Sequence, residues 1–280
     1  MPTQLDKARR FLALHGSLPG SRHGADTPLL TPNPWDIGSA KLLASLGFEA
    51  LATTSSGLAS TLGRLDGAVP GDDVLAHARA IVEATDLPVS ADLENGFADD
   101  PAAVAETVRR AVEAGLAGCS IEDSTGRVEA PIYDVAMAAE RVGAAAEAAH
   151  QGEVHLVLTA RAENHLHGRH DLADTVARLQ KYQEAGADVL FAPGLTRLED
   201  IRRVVDEVDR PVNVLARPGT PAVSELAAIG VSRISVGGAF AFAALGAVVE
   251  AARELLDLGT YGFLDLSARG SAAARGAFGR

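Results

Sequence analysis

Cysteine occurs once in the 280 residues, at Cys119. A single thiol excludes an intramolecular disulfide and any zinc site built from cysteines. Aromatic residues make up only 4% of the chain, so its core has to come from many small Ala, Val and Leu contacts. Basic residues are also few: 25 Lys and Arg stand against 37 Asp and Glu, a net charge of −12. That field disfavours wholesale binding to nucleic acid or to an anionic membrane. A small anionic substrate would need local Arg, backbone N–H groups or a metal to offset it. Long apolar runs are missing too. The most apolar tract, Ala239 to Val249, is too short to span a bilayer and is followed by Glu250 and Arg253. The N-terminal stretch MPTQLDKARRFLALHGS mixes charges into its apolar positions and lacks the apolar centre of a signal peptide. Together these absences lead us to expect a soluble, cytoplasmic chain.

What is present is an alternation. Residues 4–15 have the spacing of an amphipathic helix (Leu5, Ala8, Phe11, Leu12), and a Gly/Pro/His-rich loop follows to about Thr27. Short apolar runs then recur near 28–32, 48–54, 88–93, 117–122, 154–160, 187–192, 211–215 and 232–236. Between most of them lie Ala-rich segments of helical period: 38–46, 73–85, 101–114, 133–149, 172–185, 197–207 and 220–229, with a last one over 239–257. Asp36, Asp100-Pro101 and Thr220-Pro221 read as helix starts, and Gly47, Gly115, Gly186 and Gly230 sit just past helix ends. Eight such units in a chain of this length predict an α/β fold, a (β/α)₈ TIM-type barrel in one domain. A doubly wound sheet is the alternative, but no G-x-G-x-x-G follows the first strand. Residues from about 258 to 280 form a C-terminal extension. Tyr261, Phe263, Leu264 and Leu266 open it, and a Gly/Ala/Ser/Arg segment that reads as disordered or inter-subunit follows.

In a barrel the active site gathers at the C-terminal ends of the strands. The third strand delivers Asp92 and Glu94 and stops at Asn95-Gly96; residues two apart in a strand share a face. Two crowded carboxylates repel unless a cation or proton lies between them, and hard oxygen ligands suit Mg²⁺ or Mn²⁺. The alternative is that one acid caps the next helix while the other is solvated. The fourth strand ends in Glu122-Asp123, the fifth in Thr159-Ala-Arg-Ala-Glu163, the seventh in Asn213 and the eighth in Gly237-Gly238. Three acids with Arg161 across from them suggest a metal site facing an anion site, against an alternative of purely structural ion pairs. Ser55-Ser-Gly-Leu58 offers N–H groups to a carboxylate or phosphate, or is an ordinary capped turn. Cys119 has the wrong parity to join Glu122 and reads as a small buried apolar group. His165, His167 and His170 fit no single helix face, so their loop reads as a surface connection and not as a metal cluster.

The segments TTSSGLASTLGRLDG, SADLENGF, GCSIEDS, LTARAEN, GADVLFAPG and ISVGGAF together resemble the isocitrate lyase/phosphoenolpyruvate mutase superfamily, from about Asn33 to Ala243. The resemblance implies a Mg²⁺ ligand at Asp92, with Glu94 and Glu122 acting mainly through metal-bound waters. It implies that the backbone of Ser56, Gly57 and Leu58 holds the substrate carboxylate. Asp66 matches a family acid, and Arg161 the arginine that neutralises the enolate or the transferring group. Members share a pyruvate-like enolate on Mg²⁺ and assemble as tetramers that exchange C-terminal helices.

Departures from the family's patterns set the expected chemistry. The loop after strand four is Ser124-Thr-Gly-Arg-Val-Glu-Ala-Pro131, without the Cys and His of the KKCGH lyase loop and without the Lys of the mutase loop. Position 192 is Ala, where the mutases carry His and the lyases an acid. The leading expectation is a Mg²⁺-dependent lyase breaking a C–C bond in a small 2-oxo or 2-hydroxy carboxylate such as oxaloacetate. Asp92, Glu94 and Glu122 would hold the metal; Arg161, Glu122, Asp66 and Arg127 would act in catalysis; Ser56, Gly57, Leu58 and Asn213 would bind substrate. Arg127, the one cation of the loop, would meet the second carboxylate of a diacid. Phosphoenolpyruvate mutase or phosphonopyruvate hydrolase chemistry is the second expectation, and a 2-oxo-acid-binding barrel with little turnover the third.

Overall fold

The computed structural model describes residues 2–16 and 27–279. The loop expected between the first helix and Thr27 falls at 17–26, outside the described residues. Eight parallel strands form one sheet: β1 Leu29–Thr31, β2 Leu51–Ala52, β3 Val89–Asp92, β4 Gly118–Glu122, β5 Val157–Arg161, β6 Val189–Phe191, β7 Val212–Leu215 and β8 Arg233–Ser235. From β2 to β8 each strand pairs with its sequence neighbour, and β1 pairs with β8. Between β1 and β2 the ring is closed by a single backbone bond, the Ala52 N–H to the Pro32 carbonyl at 3.1 Å. Asn33 braces this seam: its amide donates to the Thr53 carbonyl, while its oxygen accepts from the N–H groups of Val236 and Gly237. The expected (β/α)₈ barrel is therefore what the chain forms.

The strands are short, from two to five residues, because only their shared middle is paired; the flanking apolar residues turn into loops. The helices are α1 Gln4–Leu14, which closes one end of the barrel, and α2 Ile37–Ser45, α3 Ser55–Thr61, α4 Gly71–Glu83, α5 Pro101–Glu113, α6 Val135–His150, α7 Leu172–Glu184, α8 Leu198–Glu207, α9 Val223–Ala228, α10 Ala239–Arg253 and α11 Leu264–Phe278. Several start where a side chain can take an orphan N–H. Asp36 accepts from Ser39, and Asp100 accepts from Ala102 with Pro101 at the first helical position. Thr220-Pro221 does not open α9 as expected. The Thr220 hydroxyl takes the Arg217 N–H and closes a turn, so the helix begins after Ala222.

Alternation divides the strand residues. On β4, Cys119 and Ile121 face the helix layer and are buried in the main core, while Gly118 points inward. There α1 plugs the N-terminal end of the barrel: Phe11 packs with Ala8, Leu14, Leu29, Val157 and Val189. Gly118 has to be glycine, since a Cβ would come within 2.6 Å of the Phe11 ring and 2.9 Å of the Val157 carbonyl.

The C-terminal extension is ordered as a helix, which the Gly/Ala/Ser/Arg composition alone did not suggest. After α10 comes one π-helical turn, Glu254–Leu258, and then Gly259 in the left-handed region at φ 65°. The Glu254 carboxylate ties the turn by accepting from Thr260, Gly262 and Phe263. The Ala-rich run then propagates as α11, whose Phe278 lies over Gly38 of α2. Among the described residues no helix is long and apolar enough to cross a membrane.

The plug gives a stability test. Phe11→Ala is expected to cost about 3–5 kcal/mol, and Gly118→Ala about 1–3 kcal/mol through overpacking against the same ring. Urea melts of both variants check this, and the double variant should fall short of the sum because the small residue frees the space the methyl needs.

Candidate active site

The C-terminal ends of β3, β4 and β5 bring four carboxylates around one guanidinium. Arg161 places Nη1 3.1 Å from Asp92 Oδ1, Nη2 3.1 Å from Glu122 Oε2 and Nε 2.8 Å from Glu163 Oε1. Its planar face lies over Phe191, 5.2 Å from the ring centre. The register explains the meeting, because Asp92 pairs with Ser120 and Glu122 pairs with Arg161 across neighbouring strands.

Glu94 arrives differently from the expected alternation. The strand ends at Asp92, and Glu94 lies in the left-handed region at φ 48°, with Phe97 at 59°. Such backbone costs on the order of 1 kcal/mol or more and has to be held by its surroundings. Here the Glu94 N–H donates to Asp92 Oδ1, and its carbonyl accepts the Glu122 N–H. The loop beyond it is pinned from α6 by the buried Arg141, which donates to the carbonyls of Asn95, Ala98 and Asp99. A second support lies beneath. Asp123 accepts from the Glu163 N–H, from Arg178 and from the Tyr182 hydroxyl.

The charge is unbalanced. Burial, then the Asp92 and Asp66 charges, push the Glu94 carboxyl up to about 7. Burial also raises Glu122, Glu163 and Asp66 above their ordinary values. Glu94 Oε1 is buried and finds no hydrogen-bond partner among the described residues. An acidic cluster with an orphaned oxygen and a single cation fits a hard divalent ion. Arg161 stands between the acids, and no three of their oxygens come within 4.8 Å of one another among the described residues. That spacing suits one direct carboxylate ligand, with waters bridging to the others.

These groups line a cavity of about 870 Å³, whose wall includes Asp66, Glu94, Glu122, Arg161 and Ser124. A deeper cavity of about 190 Å³ runs into the barrel past Asp92, Ser56 and Asn213 to Arg233. Of the residues expected from sequence, Asp66, Asp92, Glu94, Glu122, Arg161, Ser56 and Asn213 come together here. Gly57 and Leu58 do not: their N–H groups are taken by the Thr54 hydroxyl and carbonyl. The Asn213 amide is engaged by Arg233 and Ser235. Arg127 is turned away, half exposed, with Nη1 2.7 Å from Asp99. Tyr133 donates to the same carboxylate. Gly238 is a close-approach glycine, since a Cβ would meet Ser56 Oγ at 2.5 Å. Cys119 is fully buried, its thiol raised by burial to about 12.

Two features escaped the sequence reading. The loop after β5 is more than a surface connection, because Leu166 and His167 line the larger cavity. Arg233 is buried inside the barrel against Asn213, Thr159 and His15. Burial, and then Arg161, pull it down to about 9. Its inward parity on the eighth strand was the available signal.

The profile of the phosphoenolpyruvate phosphomutase family matches residues 21–256. The chain belongs to this family, within the isocitrate lyase/phosphoenolpyruvate mutase superfamily. Among solved structures, a Burkholderia cenocepacia J2315 protein described in class terms as a lyase/mutase is 51% identical, with a TM-score of 0.88 over 94% of this chain and 92% of that one. The 2-methylisocitrate lyase of Escherichia coli K12 is 31% identical over 70% of this chain and 68% of its own length. An oxaloacetate decarboxylase of Pseudomonas fluorescens is 29% identical over 80% and 78%. Family membership accounts for the ordered motifs at the strand ends, and the family's barrel is the one described above.

The raised carboxyls predict a pH dependence. Between the ordinary value of 4.5 and about 7, folded Glu94 keeps a proton that the unfolded chain has released. Folding without a cation is therefore increasingly penalised as pH rises through that window. The melting temperature of EDTA-treated protein should fall across it, and stabilisation by saturating Mg²⁺ should grow across it as the cation replaces the proton. Melts at about pH 5 and about pH 8 showing equal Mg²⁺ stabilisation would contradict this.

Proposed function

We propose that this enzyme is a Mg²⁺-dependent carbon–carbon lyase acting on a small 2-oxo diacid of the oxaloacetate type. The observation that carries the reading is the cluster of Asp92, Glu94, Glu122 and Glu163 around Arg161 in a cavity at the barrel mouth, with Glu94 Oε1 unsatisfied. Names of relatives support the bond type, one being called a 2-methylisocitrate lyase and another an oxaloacetate decarboxylase.

Asp92 would hold the ion directly, and Glu94 and Glu122 through water, supplying a Lewis acid for the 2-oxo and carboxylate oxygens of the substrate. The chain's own residues do the rest. Arg161, fixed by Phe191 and by its three carboxylate partners, presents positive charge to the oxygen that gains negative charge as the C–C electron pair moves toward the carbonyl. Loop 124–132 forms one wall. It is closed on itself by a Ser124–Ile132 bridge and by the Thr125 hydroxyl on the Ala130 carbonyl, with Gly126 in the left-handed region at φ 70°. Its Arg127–Asp99 latch keeps that wall in place and bulk water away from the carbanion-like carbon. Asp66, whose carboxyl burial keeps protonated to higher pH, stands in the wall as the donor that returns a proton to that carbon. The diacid role expected for Arg127 is not part of this reading, because its guanidinium is spent on Asp99.

The family's description by a phosphomutase favours one second reading, C–P chemistry. Conversion of phosphonopyruvate to phosphoenolpyruvate, or release of phosphate from it, separates this reading from pyruvate release from oxaloacetate.

The proposal includes a homotetramer in the cytoplasm. Leu256 is 83% exposed, Leu258 73% and Tyr261 62%, and Leu264 and Leu266 of α11 are exposed beside them. Apolar surface of that extent at a chain's end is typical of an interface, and the covering surface proposed is a second copy. Light scattering at micromolar concentration should give four chains; a monomer would reject this part.

Activity follows from the charges. Asp92→Ala is expected to abolish Mg²⁺-dependent pyruvate formation while keeping the melting curve. Arg161→Gln should lower kcat by about 10²–10³. Glu94→Gln and Glu122→Gln should each do less. Wild-type turnover in all four variants would remove the site from the mechanism.

A further inference from the structure

A second group of ligand-type side chains gathers at the opposite end of the barrel. His150 is the last residue of α6, His155 precedes β5 and Asp188 precedes β6. They therefore meet at the N-terminal rim; from His155 to Arg161 is about 20 Å of extended chain. His150 Nε2 lies 3.0 Å from Asp188 Oδ2, and His155 Nε2 lies 3.0 Å from Oδ1. The two imidazoles stack, with centres 4.1 Å apart and planes 11° from parallel. Oδ2 also accepts the Leu158 N–H at 2.8 Å, which fixes the carboxylate's orientation. One ligand atom from each residue lies within 4.8 Å of the other two, and no other group of His, Cys, Asp and Glu among the described residues meets that spacing.

We propose that His150, His155 and Asp188 form a site for a transition-metal ion of the Zn²⁺, Co²⁺ or Ni²⁺ class, separate from the carboxylate site at the barrel mouth. Two imidazoles and a carboxylate are a donor set these ions take readily, whereas Mg²⁺ prefers oxygen alone. Without the ion each Nε2–H donates to Asp188. With the ion bound, each Nε2 lone pair faces the metal and the proton sits on Nδ1, so a neutral imidazole keeps its proton count. The rings turn out of their stack to bring both nitrogens to about 2.1 Å from the ion. His155 and His150 are 41% and 29% exposed, so the ion enters from solvent and keeps a water in its fourth position. Bound there, it ties the end of α6 to the starts of β5 and β6 and acts as a structural clip, with no part in the chemistry at the mouth.

The test uses tag-free, full-length protein saturated with Mg²⁺, so that the catalytic end is filled. Titration with Co²⁺ should bind one ion per chain with the visible absorption of nitrogen-ligated cobalt, and Zn²⁺ should displace it. Zn²⁺ should also raise the melting temperature. The His150→Gln/His155→Gln double variant should lose about tenfold or more in affinity together with the thermal gain, while Mg²⁺-dependent turnover stays unchanged. His155→Gln alone carries the same comparison if the double variant melts too low to titrate. Absence of stoichiometric Co²⁺ binding overturns the proposal. So does binding that survives the substitutions, including binding held instead by His165, His167 and His170.

Discussion

One guanidinium surrounded by more negative charge than it can neutralise sets the character of this barrel. Arg161 contacts Asp92, Glu122 and Glu163 at once, while burial and then the charges of Asp92 and Asp66 raise the proton affinity of Glu94. Each contact is well made, yet the sum is left incomplete. A buried ion pair can offset its own desolvation when its geometry is good, but surplus buried carboxylates have no such compensation. In the proposed reading a divalent cation would offset that surplus and, together with Arg161, would make room for an anionic substrate.

The barrel interior is graded to support that cluster. At the N-terminal end it is apolar and plugged by Phe11, with Gly118 trimmed to admit the ring. A polar layer follows, where Arg233 bonds to Thr159, Asn213 and His15. The carboxylates sit above it, at the strand ends. Arg233 carries no carboxylate partner among the described residues, and its positive charge faces the underside of an acidic site. Outside the barrel, Arg141 and Asp123 hold the two loops that carry Glu94 and Glu163. Stability at the closed end thus allows strain and charge repulsion at the open one.

Much of this was legible in the chain. Alternating apolar runs and Ala-rich segments located all eight strands, and parity set Cys119 on the face opposite Glu122 as a buried apolar group. Three kinds of feature were not legible, each for a physical reason. Glu94 reaches the site through a left-handed backbone, which period-two reasoning cannot foresee for a glutamate. Arg127 was read as a free cation because its partner, Asp99, lies 28 residues away on another loop. The α11 helix was masked by glycines whose cost its alanines and the contact of Phe278 with α2 outweigh. His167 belongs to the same class as Arg127, since loop residues acquire a cavity wall only through tertiary placement.

The central claim is that the acids around Arg161 are completed by a divalent cation and an enolate-shaped anion. A crystal soaked with Mn²⁺ and oxalate, read by anomalous scattering, tests it most directly. The account predicts one strong manganese peak beside Asp92, with the oxalate oxygens between the ion and Arg161. A map with no anomalous peak near Asp92, or with manganese there and oxalate bound away from Arg161, would contradict it.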